Sequence, residues 1–269
     1  MSFKDLLVYV DATPSGAQRL EVAAALAGRH GAHLKGLHVL TRGYYESRHE
    51  SLMREAEAAA ELFARRTAQA GLSAEWCQIG YQLLGATVTD AMVRHGHCAD
   101  LLIVGQPGEG SPVGVPADLA QRLVLTVGRP VLVVPYAGQF DAAGTKVLVA
   151  LTAGRAATRA VHDALPLLRQ AQQVTLLEVV SGSSVKEAGG ELCPGILDHL
   201  GRHGVSVTLE RQPAAGLPVA DVLLNRAYSD GFDLLVMGAH AVPPFIGVGL
   251  GPVADQILRQ MTLPVLMAH

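Results

Sequence analysis

Ala99-Asp-Leu-Leu-Ile-Val-Gly105 and Phe232-Asp-Leu-Leu-Val-Met-Gly238 are two versions of one segment, 133 residues apart in a chain of 269. Each is an Asp, four apolar residues and a Gly. An apolar run without polar alternation suits a strand buried on both faces, as in a parallel sheet covered by helices.

Working outward, two further segments recur. Upstream, Leu6-Leu-Val-Tyr-Val10 matches Val147-Leu-Val-Ala-Leu151 at a spacing of 141 residues. Downstream, Leu119-Ala-Gln-Arg-Leu-Val followed by Arg129-Pro-Val-Leu-Val-Val134 matches Val253-Ala-Asp-Gln-Ile-Leu followed by Leu263-Pro-Val-Leu-Met-Ala268, at 134. Three matches in the same order at nearly constant spacing point to a duplicated unit. The fall in spacing predicts about eight additional residues in the first copy, in the polar stretch from Thr41 to Glu50. The stretch from Tyr136 to Thr145 is rich in Gly and Ala and has no apolar periodicity, so it reads as a linker. The expected domains are 1–138 and 145–269.

Short apolar runs alternate with amphipathic helical stretches in each copy. Strands are expected near Asp5–Val10, His33–Leu40, Ala74–Ile79, Asp100–Val104 and Pro130–Val134 in the first copy. In the second they are expected near Lys146–Leu151, Val174–Val180, Ser206–Arg211, Asp233–Met237 and Pro264–Met267. The fold class is α/β: two tandem Rossmann-like domains, each a five-stranded, mostly parallel sheet with helices on both faces and its ligand site at the carboxyl ends of the strands.

An apolar share of 49% against 17% charged is ample for packed cores. A net charge of −3 gives no field that would draw nucleic acid or an anionic membrane surface. Apolar runs such as Leu101–Val104 fall far short of the roughly 20 residues of a membrane helix. The start of the sequence lacks the pattern of a signal peptide, and Cys77, Cys98 and Cys193 show no paired spacing. A cytoplasmic protein with reduced thiols is the expectation.

Val8-Tyr-Val-Asp11, and in both copies an apolar strand leading to Gly, a glycine-containing loop, a helix and a closing Pro-Val-Leu strand, resemble the universal stress protein family across both halves. Arg159-Ala-Val-His-Asp-Ala-Leu-Pro166 is similar to the second half of tandem members. The resemblance implies an ATP loop of Gly, two residues, Gly, nine residues, then Gly and Ser or Thr, with the Asp closing the first strand holding the adenosine. Glycines let backbone approach phosphate, and a helix N-terminus supplies free N–H groups.

Both loops depart from that pattern. In the first copy Gly105 and Gly108 stand in place, but Ala117 and Asp118 replace Gly and the hydroxyl residue. Asp118 is expected to cap the helix with Gln121 completing a capping box. In the second copy Gly238 and Gly251 are in place, Ala241 and Pro252 are substitutions, Gly247 and Gly249 precede the helix, and Thr152 stands where the strand-closing Asp would be. The resemblance adds Val39 and Val179, near the ends of the second strands, and Met237 and Val253, beside the loop, as candidate nucleotide contacts. It also implies pairing of the two domains through their terminal strands and leaves a homodimer open.

Other polar clusters carry little. His95, Gly96, His97 and Cys98 read as a helix terminus rather than a metal site. His30 and His33, and His199 and His203, read as solvated helix-face residues. His162 and Asp163 are adjacent on a helix and cannot face each other. No residue is singled out as catalytic and no metal is expected. The expected function is a non-catalytic stress-response or regulatory protein with degenerate phosphate loops. Two alternatives stay open: an ATP-binding switch or weak ATPase using the second copy's loop, and a binding module for another small or apolar ligand in a cleft beside Asp11 or Thr152.

Overall fold

The computed structural model describes residues 2–40, 49–80, 87–108, 112, 114–141, 143–180, 195–242 and 249–269. By its internal contacts the chain divides into two units, Ser2–Ala142 and Ala143–His269.

The first unit runs β1 (Asp5–Tyr9), α1 (Pro14–His30), β2 (His33–Val39), α2 (His49–Gln69), β3 (Ala74–Ile79), α3 (Val88–Gly96), β4 (Leu101–Gly105), α4 (Leu119–Thr126) and β5 (Val131–Val134). Its strands lie in the order β3-β2-β1-β4-β5, all parallel. The chain therefore winds outward in one direction from β1 and then in the other from β4. The gap between those two strands is the topological switch point at which such sheets bind ligands.

The second unit runs β6 (Lys146–Ala150), α5 (Arg155–Leu168), β7 (Gln173–Val180), α6 (Ile196–Arg202), β8 (Thr208–Pro213), α7 (Val219–Ser229), β9 (Leu234–Gly238), the two-residue strands β10 (Ala241–Val242) and β11 (Gly249–Leu250), α8 (Pro252–Gln260) and β12 (Val265–Ala268). Its parallel strands follow the same order, β8-β7-β6-β9-β12. Each of the ten strands expected from the sequence is present within two residues of its expected ends.

The repeated Asp of the opening segment has a structural task. Asp100 Oδ2 accepts from the backbone N–H groups of Lys4 and Asp5, at 2.6 and 3.1 Å. Asp233 does the same for Gly144, Thr145 and Lys146, at 2.9 to 3.0 Å. In each unit this carboxylate ties the start of the central strand to its neighbour, so the apolar run that follows enters the sheet in register. Leu6, Leu7 and Val8, and Val147, Leu148 and Val149, are then covered on both faces.

Helix ends follow local chemistry. Thr13 caps α1 by accepting from the Gly16 N–H at 3.0 Å, with Pro14 in the first turn. Gly31, at φ 61°, closes that helix in the left-handed conformation and returns its N–H to Ala27 and Gly28. Thr87 and Asp90 form a reciprocal capping box on α3. α3 ends at Gly96, where the sequence reads a helix terminus, though without the positive φ of Gly31. A Cβ at Gly96 would come within 2.7 Å of Val127 and 2.9 Å of Leu102. Close packing, not a turn, requires the glycine.

Strand registers locate the difference in length between the copies. Leu37 pairs with Cys77 in the first unit and Leu177 with Glu210 in the second. The spacing between copies thus falls from 140 to 133 on passing from β2 to β3, so the first copy is longer there by seven residues rather than eight. The stretch 41–48 lies outside the described residues.

Candidate functional site

In the first unit the switch point is filled. Asp11, just beyond β1, and Arg19, one and a half turns into α1, are both buried and form an ion pair. Arg19 Nε donates to the Tyr9 carbonyl at 2.7 Å, and its guanidinium carbon lies 5.6 Å from the centre of the Tyr9 ring. The other carboxylate oxygen of Asp11 accepts from the Thr13 N–H at 3.0 Å and from the Thr13 hydroxyl. Burial pushes the Asp11 carboxyl upward, but the Arg19 charge and the Thr13 hydrogen bonds outweigh it and hold the group below the ordinary carboxylate value. Burial and the Asp11 charge push the Tyr9 phenol well above its usual value.

What space remains beside these groups, bounded also by Gly105, Gln106 and Leu119, is a cavity of about 30 Å³. That is about the volume of one water molecule. Gly105 fits because a Cβ there would overlap the Arg19 guanidinium, and Gly108 because a Cβ would lie 2.8 Å from the Tyr136 ring. Both glycines therefore serve close packing within the unit. Val39 ends β2 and is buried.

Asp118 corrects the capping expectation. It stands at the N-terminal end of α4, but its side chain makes no cap hydrogen bond. Its Oδ2 instead pairs with Arg122 Nε at 2.7 Å, one turn on. With φ −101° and ψ 17° the residue lacks the extended backbone that aims a cap side chain at the helix amides.

In the second unit the same place is closed by the backbone of α5, which packs against Gly238 at the end of β9, rather than by side chains. The spacing of 141 holds from β1 into α1, since β6 and α5 start 141 residues after them. It puts Ala150, Thr152 and Ala160 where the first unit has Tyr9, Asp11 and Arg19. Three filling side chains are thereby replaced by two methyl groups and a threonine. The opening of this unit, about 290 Å³, lies instead between α5 and α6, lined by Leu151, Thr152, Ala157, Thr158, Val161, His162, Gly195, Ile196 and His199, with no residue of β9 or α8. It lies at the lower edge of the size usual for small-molecule sites.

Gly238 and Gly251 of this unit are packed against its own atoms. Gly238 closes β9 where a Cβ would overlap the backbone of Ala156 and Ala157 at the start of α5. Gly251 precedes α8, and a Cβ there would sit 2.5 Å from the His240 ring. The Gly251 N–H donates to the His240 carbonyl at 2.9 Å, and Ala241–Val242 pair antiparallel with Gly249–Leu250. Pro252 is the first residue of α8, exposed, with Val253 after it and no side-chain cap. Met237 is buried in β9, and Val179 sits one residue before the end of β7. Gly247 lies outside the described residues. Thr152 is thus the one sequence-picked residue of this unit that lines the cleft.

Residues 210–269 match the model of the Universal stress protein family. Over 98% of its length the chain aligns with 95% of a universal stress protein from Archaeoglobus fulgidus DSM 4304, at 15% identity and a TM-score of 0.73. It likewise aligns over 99% of its length with 93% of a protein from Pseudomonas aeruginosa UCBPP-PA14 assigned to the universal stress proteins, at 18% identity and a TM-score of 0.65. The fold is that of a tandem universal stress protein. A shorter universal stress protein from Archaeoglobus fulgidus, solved in complex with dAMP, aligns with 49% of this chain and 98% of its own, at 20% identity and a TM-score of 0.39. No curated protein matches the chain.

Within this universal stress fold the histidines divide differently from the sequence reading. His30 is buried against Phe3, its ring centre 4.9 Å away, and Ser2 Oγ donates to its carbonyl at 2.9 Å. It is therefore not a solvated helix-face residue; burial and the Arg29 charge lower its pKa to about 4. His162, His199 and His203 come together on the second unit instead. His162 Nε2 and His199 Nε2 are 3.1 Å apart, and the rings of His199 and His203 are 4.7 Å apart between centres. Partial desolvation and then the neighbours His203, His162 and Arg202 lower the His199 pKa. Spacing finds His199 and His203, one turn apart, but His162 joins them only through packing of α5 beside α6. Among the described residues no three His, Cys, Asp or Glu side chains are already gathered around a metal position, and no helix is long and apolar enough to cross a membrane.

Proposed function

We propose that this tandem universal stress fold serves as a non-catalytic regulatory protein whose first copy is a closed scaffold and whose second copy is the ligand-binding one. The observation that carries the reading is the contrast between the two units: an Asp11–Arg19–Tyr9 plug beside about 30 Å³ at the switch point of one, a cleft of about 290 Å³ between α5 and α6 of the other. An Asp committed to a buried arginine is a poor partner for an incoming sugar hydroxyl, because the ion pair would have to be broken first.

The cleft's lining favours a small ligand with an apolar body: Leu151, Ala157, Val161 and Ile196 form its walls, with Thr152, Thr158, His162 and His199 as polar contacts. An adenine nucleotide is one candidate, and we assign it to the second copy. Its phosphates would have to do without the hydroxyl and the first amide of α8, which Pro252 removes, and His240 already lies against Gly251. That counts against a triphosphate switch or weak ATPase and in favour of a nucleoside-sized or less polar occupant. The proposal treats 1–138 and 145–269 as the two folding units and, following the family resemblance, pairs them through their terminal strands.

Native mass spectrometry of the purified full chain, followed by titration with adenosine, AMP and ATP, tests the reading. Retained or added ligand should be lost when the exposed cleft residue Thr158 is replaced by Trp. Binding that T158W leaves intact and a substitution at Asp11 abolishes would place the site in the wrong copy.

A further inference from the structure

Two imidazole nitrogens 3.1 Å apart can share only one proton. His162 Nδ1 lies 2.8 Å from the Thr158 carbonyl, which can only accept, so Nδ1 carries the hydrogen and donates it. His162 Nε2 is therefore a bare lone pair, and it points at His199 Nε2. In the neutral pair the single proton between the two nitrogens belongs to His199. Any cation that takes the place of that proton meets two ring nitrogens at once.

The spacing is close to what a metal ion requires. With metal–nitrogen bonds of about 2.0 Å and a tetrahedral angle, two ligating nitrogens stand about 3.3 Å apart. Only a few tenths of an ångström of opening separates the pair from that geometry. The hydrogen bond from His162 Nδ1 to a carbonyl is the outer-sphere support that fixes a ligating histidine's tautomer and ring orientation. The two residues sit on different helices, α5 and α6, so neither has to leave its helix to share an ion. His203, one turn after His199 and with its ring against it, is within a side-chain rotation of the same point.

We propose that His162 and His199 form a two-nitrogen seat for a divalent transition-metal ion of the zinc or copper class at the rim of the second unit's cleft, with His203 available as a third donor. Nitrogen-only donors select such ions over magnesium or calcium, which prefer oxygen. The ion does not find a closed cage: the ligand set is incomplete among the described residues. Water or an oxygen of a bound ligand completes it. Because both histidines also line the cleft, an ion there would add a positive centre to a pocket otherwise walled by apolar groups.

The test uses the untagged full chain, the metal alone, and competition against a chromophoric chelator. Zn²⁺ and Cu²⁺ should each bind with one equivalent above background, copper the tighter. His162→Gln and His199→Gln should each weaken that equivalent by at least about tenfold, His203→Gln by less, and a control His97→Gln not at all. In the unmodified protein, nitrogen couplings in the Cu²⁺ electron spin resonance spectrum should count two imidazoles or more. Absence of a stoichiometric equivalent, an affinity unchanged in both H162Q and H199Q, or copper couplings from fewer than two imidazoles would each overturn the assignment. Loss of adenosine-class binding in T158W with metal binding retained would leave this site standing apart from the proposed cleft ligand.

Discussion

Replacing Arg19 by Ala is the perturbation with the largest consequence. In the folded protein Asp11 is 4% exposed and has Arg19 as its counter-charge, with Thr13 supplying the remaining hydrogen bonds. Removing the cation leaves a buried carboxylate uncompensated, which costs about 3–5 kcal/mol. For a unit of this size, at about 3 °C per kcal/mol, the melting transition should fall by about 10 °C or more. The double variant R19M/D11L removes both charges and fills the space with apolar atoms, so it should recover most of that loss. The pH dependence carries the sign. In the parent the Asp11 carboxyl is held below its ordinary value of 3.8, so its contribution is present above that pH and lost as pH falls through the lower folded value. In R19A burial is opposed only by the Thr13 hydrogen bonds, so the group rises relative to the parent and the penalty should shrink on acidification as Asp11 takes up a proton. The assay is thermal and urea unfolding of both variants between pH 4 and 8. A shift below about 2 °C for R19A at pH 7, or an equal loss in R19M/D11L, would refute the plug as the element that closes the first copy.

Other consequences follow from the same geometry. Gly238→Ala should unfold the second unit or cost several kcal/mol in denaturant melts, because its Cβ meets the α5 backbone, which cannot rotate aside. Gly108→Ala should cost less, since the obstacle is the exposed side chain of Tyr136 rather than backbone. His30 is held neutral with a pKa of about 4, so the unfolded chain binds the extra proton between its ordinary value near 6.5 and 4. Stability should decline over that window as pH falls, and His30→Leu should flatten the decline, as followed by urea midpoints. Asp100→Ala and Asp233→Ala should each cost about 1–3 kcal/mol by leaving strand-entry amides unsatisfied, read from the same midpoints.

The architecture was open to reading because duplication puts the same signals on the chain twice. The Asp-Leu-Leu segments, the closing Pro-Val-Leu strands and the uniformly apolar runs between them lead directly to five parallel, doubly wound strands in each unit. The reading of the site went to the glycines, since glycine patterns are what phosphate loops announce. The structure gives those glycines to packing: Gly105 to Arg19, Gly108 to Tyr136, Gly238 to α5, Gly251 to His240. The signal that separates the copies was nevertheless in the sequence. At the spacing of 141, Tyr9, Asp11 and Arg19 fall on Ala150, Thr152 and Ala160, so the second copy lacks the plug and the α5 backbone packs on Gly238 in its place. Asp118 illustrates the opposite case: the residue pattern permits a cap, but the backbone angles decide it, and at φ −101° and ψ 17° the carboxylate pairs with Arg122 instead. The meeting of His162 with His199 needs two helices packed side by side, and β10 and β11 are too short to leave a periodicity.

The central claim is that ligand access belongs to the second copy alone. Backbone and methyl NMR spectra of the full chain during titration with adenosine test it residue by residue. The account predicts shifts confined to the neighbourhood of Leu151, Thr152, Val161 and Ile196, with the signals of Tyr9, Asp11, Arg19 and Gly105 unmoved. Saturable shifts around Asp11 and Gly105, with the second cleft silent, would contradict it.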